Sequence, residues 1–190
     1  MTIGKATLSS AIVVGVLFGL QASRAEPVAS AHHRGENATG LQIPRVMEME
    51  HEELHAELAK LIQAGGQTGN AAKAVAAVLD PHFTNENSYA LPPLGLLVPL
   101  AEGKFDCGMT EVLKMTDKLE AAMPTMLAEH KEITAALGKL SDAGKAENKP
   151  EGVQFAEALM VHAEGEEEIT YPTALLVGRY VKDKAAGCPH

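Results

Sequence analysis

The sequence predicts an all-α protein, an up-down-up-down four-helix bundle. Three observations predict it. Apolar residues recur at helical spacing through four segments. No alternating run or hairpin signal interrupts them. The Gly-rich and polar breaks between segments are short enough to join helices that are neighbours in space. With 190 residues, the chain can build one domain with a real core.

Taken in order, residues 1–25, "MTIGKATLSSAIVVGVLFGLQASRA", read as a signal peptide. Lys5 supplies the positive start, Leu8–Leu20 the apolar run and Ser23-Arg24-Ala25 a small-residue cleavage site. That run is shorter than the ~20 residues needed to cross a bilayer. The expectation is an exported protein, periplasmic or secreted, that starts near Glu26 and keeps no membrane anchor. Residues 26–41 read as a flexible leader carrying His32 and His33.

The bundle is expected over residues 42–185. Val46, Leu54, Leu58, Leu61 and Ile62 mark a first helix from Ile43 to Ile62, and "AGGQTGN" (64–70) reads as a loop. Ala71–Ala90 is the second helix, bent or ended by Pro92 and Pro93, with "LGLLVPL" adding a turn or two. "EGKFDCG" (102–108) is the next break. Thr110–Leu140 forms a third helix kinked at Pro124. "SDAGKAENKPEG" (141–152) reads as a polar loop, Val153–Lys184 as the fourth helix, and 186–190 as a tail.

Composition narrows the function. Net charge is −9 and no basic block occurs, which disfavours nucleic acid and anionic membrane as partners. There is no Trp to build a base-stacking platform. Cys107 and Cys188 lack C-x-x-C spacing. In the up-down order they fall at the same end of the bundle, so one disulfide is expected in an oxidising compartment.

The stretch "HEELH" (51–55) fits H-E-x-x-H, the zinc-protease pattern in which Glu52 would act as base. The following "AELAKL" offers neither the Gly nor the third His of the extended motif, so this reading is remote.

An internal repeat carries more. "EMEHEELHAELAKL" (48–61) resembles "LAEHKEITAALGKL" (127–140), with Glu50-His51 on Glu129-His130. "HFTNENSYALPPL" (82–94) resembles "HAEGEEEITYPTA" (162–174) at an offset of 80, setting His82 on His162, Glu86 on Glu166 and Pro92 on Pro172. The matched histidines stand nearly equidistant from the expected turns, centred near Gln67, Asp106–Cys107 and Ala146. In antiparallel helices of equal rise they share one level. The i, i+4 spacing sets each glutamate on the same face as its histidine. Four imidazoles and two carboxylates at one buried level point to metal, because such groups are costly in a core unless paired or ligating.

His55, one turn after His51, adds a fifth imidazole. The expected division gives one metal His51, His55 and His82 and the other His130 and His162, with Glu86 and Glu166 bridging. The second metal is then one ligand poorer and open to a small molecule. Imidazole with carboxylate suits iron, zinc or manganese. Glu167 is an alternative to Glu166. Glu164 and Glu168 read as solvated face, the methionines as core filler, and Tyr89 and Tyr171 as core residues near the centre.

This layout resembles the hemerythrin-like, His-His-Glu cation-binding family over nearly all of residues 43–184. The resemblance implies a four-helix bundle with two non-haem iron ions that bind O₂ or a related small ligand. The pattern departs from classical hemerythrins, which carry His-x-x-x-His on the third helix and His-x-x-x-x-Asp on the fourth. Here the pair His51/His55 is on the first helix, and the fourth has His162-x-x-x-Glu166. The expected function is an exported di-iron protein that carries, stores, scavenges or senses O₂ or a similar diatomic. The alternative is a di-iron enzyme on the same site, an oxidase or a consumer of peroxide or NO.

Overall fold

A computed structural model of the chain describes residues 41–188. The expected signal peptide, nearly all of the leader with His32 and His33, and His190 lie outside the described residues.

The described chain is helical throughout, with no strand among the described residues. Its order is α1 (Arg45–Ala64), α2 (Gly66–Asn85), a π-helical segment Glu86–Ala90, a 3-10 turn Pro92–Leu96 and the short α3 (Leu97–Ala101). A second 3-10 turn, Cys107–Glu111, leads into α4 (Val112–Glu147). Then come α5 (Pro150–Gly165), a second π segment Glu166–Thr170, and α6 (Tyr171–Ala185). α4 packs on α2, α5 and α6, and α1 packs on α2 and α5, an arrangement compatible with a four-helix bundle. Among the described residues, no helix is long and apolar enough to cross a membrane.

Two expected loops are nearly absent. Where residues 64–70 read as a loop, Gly65 alone separates α1 from α2. Gly65 and Gly66 take φ of 65° and 70°, a region closed to most side chains, and so make the reversal abrupt. The Glu147 carboxylate then accepts hydrogen bonds from the Gln67 and Thr68 amides (2.7 and 3.0 Å) and the Thr68 hydroxyl (2.7 Å). This cap from the end of α4 satisfies open N–H groups at the start of α2. Those hydrogen bonds hold Glu147 down to about 2. Similarly, 141–152 read as a loop, yet only Asn148 and Lys149 separate α4 from α5. Asn148 ends α4 in the left-handed region (φ 56°), and Pro150 opens α5 where no N–H is needed. α4 runs unbroken through Pro124.

The core has two main parts. Leu54, Leu58, Leu79, Ile133, Leu137 and Leu159 form one cluster toward the α1–α2 and α4–α5 turns. Met126, Leu119, Tyr89, Leu91 and Tyr171 belong to the other. Each fully buried leucine contributes about 1.5–3 kcal/mol. Leu137→Ala would remove about 2–5 kcal/mol by leaving a cavity. Between these apolar clusters, along every bundle helix, falls the level of His51, His82, His130 and His162. At the far end a disulfide joins Cys107 to Cys188, tying the turn before α4 to the residues after α6.

Candidate metal centre

Both π segments start on a glutamate that the repeat singles out, Glu86 and Glu166. The cause is local. Pro92 and Pro172 lack the N–H that would continue the α ladder. The residue before each proline bonds five back instead, Leu91 to the Glu86 carbonyl and Tyr171 to the Glu166 carbonyl. Such bulges re-aim side chains and recur at functional sites. Here they accompany two carboxylates, 0 % and 3 % exposed, at the level of four buried or nearly buried imidazoles.

The imidazoles meet in two pairs. His82 and His130 bring their Nε2 atoms to 2.9 Å. The rings of His51 and His162 lie edge-on, 5.3 Å between centroids. The carboxylates stand between the pairs and split their oxygens. Glu86 sets Oε1 at 3.5 Å from His82 Nε2 and Oε2 at 3.6 Å from His51 Nε2. Glu166 sets Oε2 at 3.4 Å from His130 Nε2, and Oε1 at 2.9 Å from His162 Nε2 and 3.6 Å from His51 Nε2. Two donor groups therefore fall within one another's reach: His82, Glu86, His130 and Glu166; and His51, His162 and Glu166. Buried His and Glu groups of this kind could hold a metal ion.

This corrects the expected division. Each pair takes one histidine from each half of the repeat, rather than three ligands from the first half and two from the second. His55 belongs to neither group. It is half-exposed, 3.6 Å from Asp80 Oδ1, with its ring edge-on to Phe83. One turn of α1 carries it past the level of the layer. The H-E-x-x-H pattern accordingly builds no two-histidine site, since only His51 turns inward and Glu52 is exposed.

The outer nitrogens carry a feature that the sequence reading missed. His82 Nδ1 lies 2.7 Å from Glu129 Oε2, His130 Nδ1 2.8 Å from Glu167 Oε1, and His162 Nδ1 3.2 Å from Glu50 Oε1. A carboxylate on Nδ1 places the proton there and leaves the Nε2 lone pair facing inward, as metal-binding histidines require. The signal was present in the repeat, because Glu50 and Glu129 are matched. Glu167 acts here as the support of His130, beside Glu166 in the layer. Its repeat counterpart is Asn87, and His51 Nδ1, the nitrogen that Asn87 would serve, has no hydrogen-bond partner.

Among the described residues, four buried side-chain polar atoms lack a hydrogen bond: His51 Nδ1, Glu86 Oε2, His162 Nε2 and Glu166 Oε1. His162 Nε2 and Glu166 Oε1 are 2.9 Å apart but out of line for one. An unsatisfied buried polar atom costs about 1–3 kcal/mol. Three of the four, on Glu86, His162 and Glu166, belong to residues of the two donor groups, where bound cations would give them partners. The donor set fits a metal.

Electrostatics agree with a site that holds charge. Burial opposes the charge of Glu166, but the imidazoles of His130, His162 and His51 hold it far below the carboxylate range. Burial pushes Glu86 up and the Glu166 charge adds to the rise, against the pull of His82. Burial alone would lower His162, yet Glu166 and then Glu50 lift it to about 9. His82 and His130 rise for the same kind of reason, burial being outweighed by Glu86 and Glu129 for one and by Glu166 and Glu167 for the other. Tyr171, fully buried, donates its hydroxyl to Glu86 Oε1 at 2.5 Å, with the Nε2 atoms of His130 and His82 at 3.2 and 3.4 Å. Burial and the Glu86 charge keep that phenol protonated. Tyr89 instead bonds Met126 Sδ at 3.2 Å, within the core.

No family model, no curated protein and no solved structure matches the chain. What the site can do is read from its own donors.

Proposed function

We propose that the chain is an exported, hemerythrin-like up-down-up-down bundle whose centre holds two non-haem irons and binds O₂ or a related small ligand. The role is that of a carrier, store, scavenger or sensor. One observation carries this reading: Glu86 and Glu166 each offer one oxygen toward the His82–His130 pair and the other toward the His51–His162 pair. Carboxylates shared this way suit two cations side by side. Two irons, when bound, supply the redox chemistry that O₂ binding needs.

The residues do the rest. Glu50, Glu129 and Glu167 orient the imidazoles. The apolar clusters above and below the layer keep bulk water out. Three imidazoles each backed by a carboxylate, together with two carboxylates in the layer, suit iron, and no thiolate competes. Metal analysis of the purified protein with its optical spectrum, in air and after reduction, tests the reading. About two irons per chain and a near-UV absorption that changes on readmitting air are expected. Iron-free protein that takes up none would overturn it.

Tyr171 favours a second reading, a di-iron enzyme. Its hydroxyl holds a proton beside Glu86 and both Nε2 atoms of the His82–His130 pair, where a reduced oxygen or nitrogen species would need one. Turnover of peroxide or NO separates the two, since a carrier returns its ligand unchanged.

A further inference from the structure

The repeat predicts matched surroundings for His51 and His130, and the structure gives them different ones. Phe83 in the first half stands where the second half has Ala163, and His55 where it has Thr134. Phe83 is buried and lies flat on His51, with ring centroids 3.8 Å apart and planes 4° from parallel. His55 closes the outer side of that stack, edge-on to Phe83 at 5.2 Å. Ala163 cannot stack on His130 as Phe83 does on His51, and the ring that does stack on His130 is that of Tyr171, 5.7 Å between centroids. A partly open cavity of about 260 Å³ lies beside His130, between α4 and α5. His130, Thr134, Met160, Ala163 and Glu167 line it together with Lys131 and Glu164.

We propose that this cavity is a binding subsite for a small uncharged molecule, and that the centre is reached from this side and not past Phe83. The space is many times what a single water needs, so it admits a small organic molecule. Met160 and Ala163 give it an apolar wall. Glu164 and Glu167 against the single Lys131 disfavour an anion, and the Thr134 hydroxyl cannot replace the hydration shell of an ion. Glu167 joins the cavity to the layer. Its side chain is 43 % exposed at one end, and its Oε1 meets His130 Nδ1 at 2.8 Å. What the molecule does on arrival rests on the di-iron reading, but the existence of the subsite does not.

Diethylpyrocarbonate, a small neutral reagent that acylates imidazole, tests this on the full chain freed of metal by a chelator. Peptide mass mapping follows His130 and His51 separately with time. Ala163→Phe, which copies the first half, should slow acylation of His130 severalfold and leave His51 unchanged. Phe83→Ala should speed acylation of His51. Thr134→Leu narrows the cavity from its exposed side and should slow His130 even if Ala163→Phe fails to fold. A parent chain in which His130 does not react, or a His130 rate unchanged by Thr134→Leu and by a folded Ala163→Phe, would overturn the proposal. Failure of the di-iron reading would show separately, as absence of iron, without altering these rates.

Discussion

Glu129 Oε2 lies 2.7 Å from His82 Nδ1, while the next residue, His130, brings its Nε2 to 2.9 Å from the other nitrogen of the same ring. Two consecutive residues of α4 thus address both ends of one imidazole on α2. The first sets the proton on Nδ1, and the second shares the site that Nε2 faces.

Removing the outer contact should weaken metal binding without unfolding the chain. Glu129→Gln is expected to cost about 10–100-fold in affinity at the His82–His130 pair. Metal titration with circular dichroism as a control measures this. Unchanged affinity would mean that Glu129 merely occupies the helix surface.

The unserved nitrogen of His51 predicts a gain. Glu167 supports His130, and Asn87 holds the matched place in the first half. Asn87→Glu should give His51 Nδ1 a carboxylate partner and slow loss of metal to a competing chelator. An unaltered rate would show that the two halves diverge in backbone at this point as well as in side chain.

His55 and His162 should respond oppositely. His55→Ala leaves metal stoichiometry unchanged, because the ring sits with Asp80 outside the layer. His162→Ala removes a donor of the second group and should lose about one metal per chain. Equal losses in both variants would restore His55 to the ligand set.

Metal-free and metal-loaded chains should show opposite pH dependence. His162 is raised from 6.5 to about 9, so its charged contacts stabilise the fold fully below 6.5, and that contribution is lost as pH climbs through about 9. Thermal melts of metal-free protein should fall across that window. Metal must displace the same proton, so affinity should rise over the same interval. Isothermal titration at several pH values checks the second slope, and a flat profile would contradict it.

The disulfide should matter for stability and not for the centre. Cys107 and Cys188 close a loop with a sequence separation of 81, and a bridge of this kind typically contributes about 2–4 kcal/mol. Replacing both with Ser should lower the melting temperature and leave metal content intact.

Much of the site was legible because duplication is visible in one dimension. His51, His82, His130, His162, Glu86 and Glu166 stand at matched positions, and helical periodicity set them on inward faces. Glu50 and Glu129 are matched in the repeat, but their role was not legible because each supports a ring on another helix. Sequence neighbours do not reveal such contacts. His55 was overread, since i, i+4 spacing fixes a shared face but also moves the side chain about 6 Å along the axis. The turns were overestimated because Gly65, Gly66 and Asn148 are loop-forming residues whatever the loop length. The cap that shortens the first turn comes from Glu147, 80 residues from Gln67. The turn centres moved to Gly65 and to Asn148–Lys149, so equal distance from the turns is not what brings the histidines to one level.

The crosswise pairing of the imidazoles has a consequence for how the two halves depend on each other. A single half, cut free at the middle of the chain, would own two histidines that never pair with each other, such as His51 and His82 on either side of Glu86. Two such pieces brought face to face would supply both pairs at once. Neither half alone therefore holds both rings of a pair, and the donor set belongs to the association of the two.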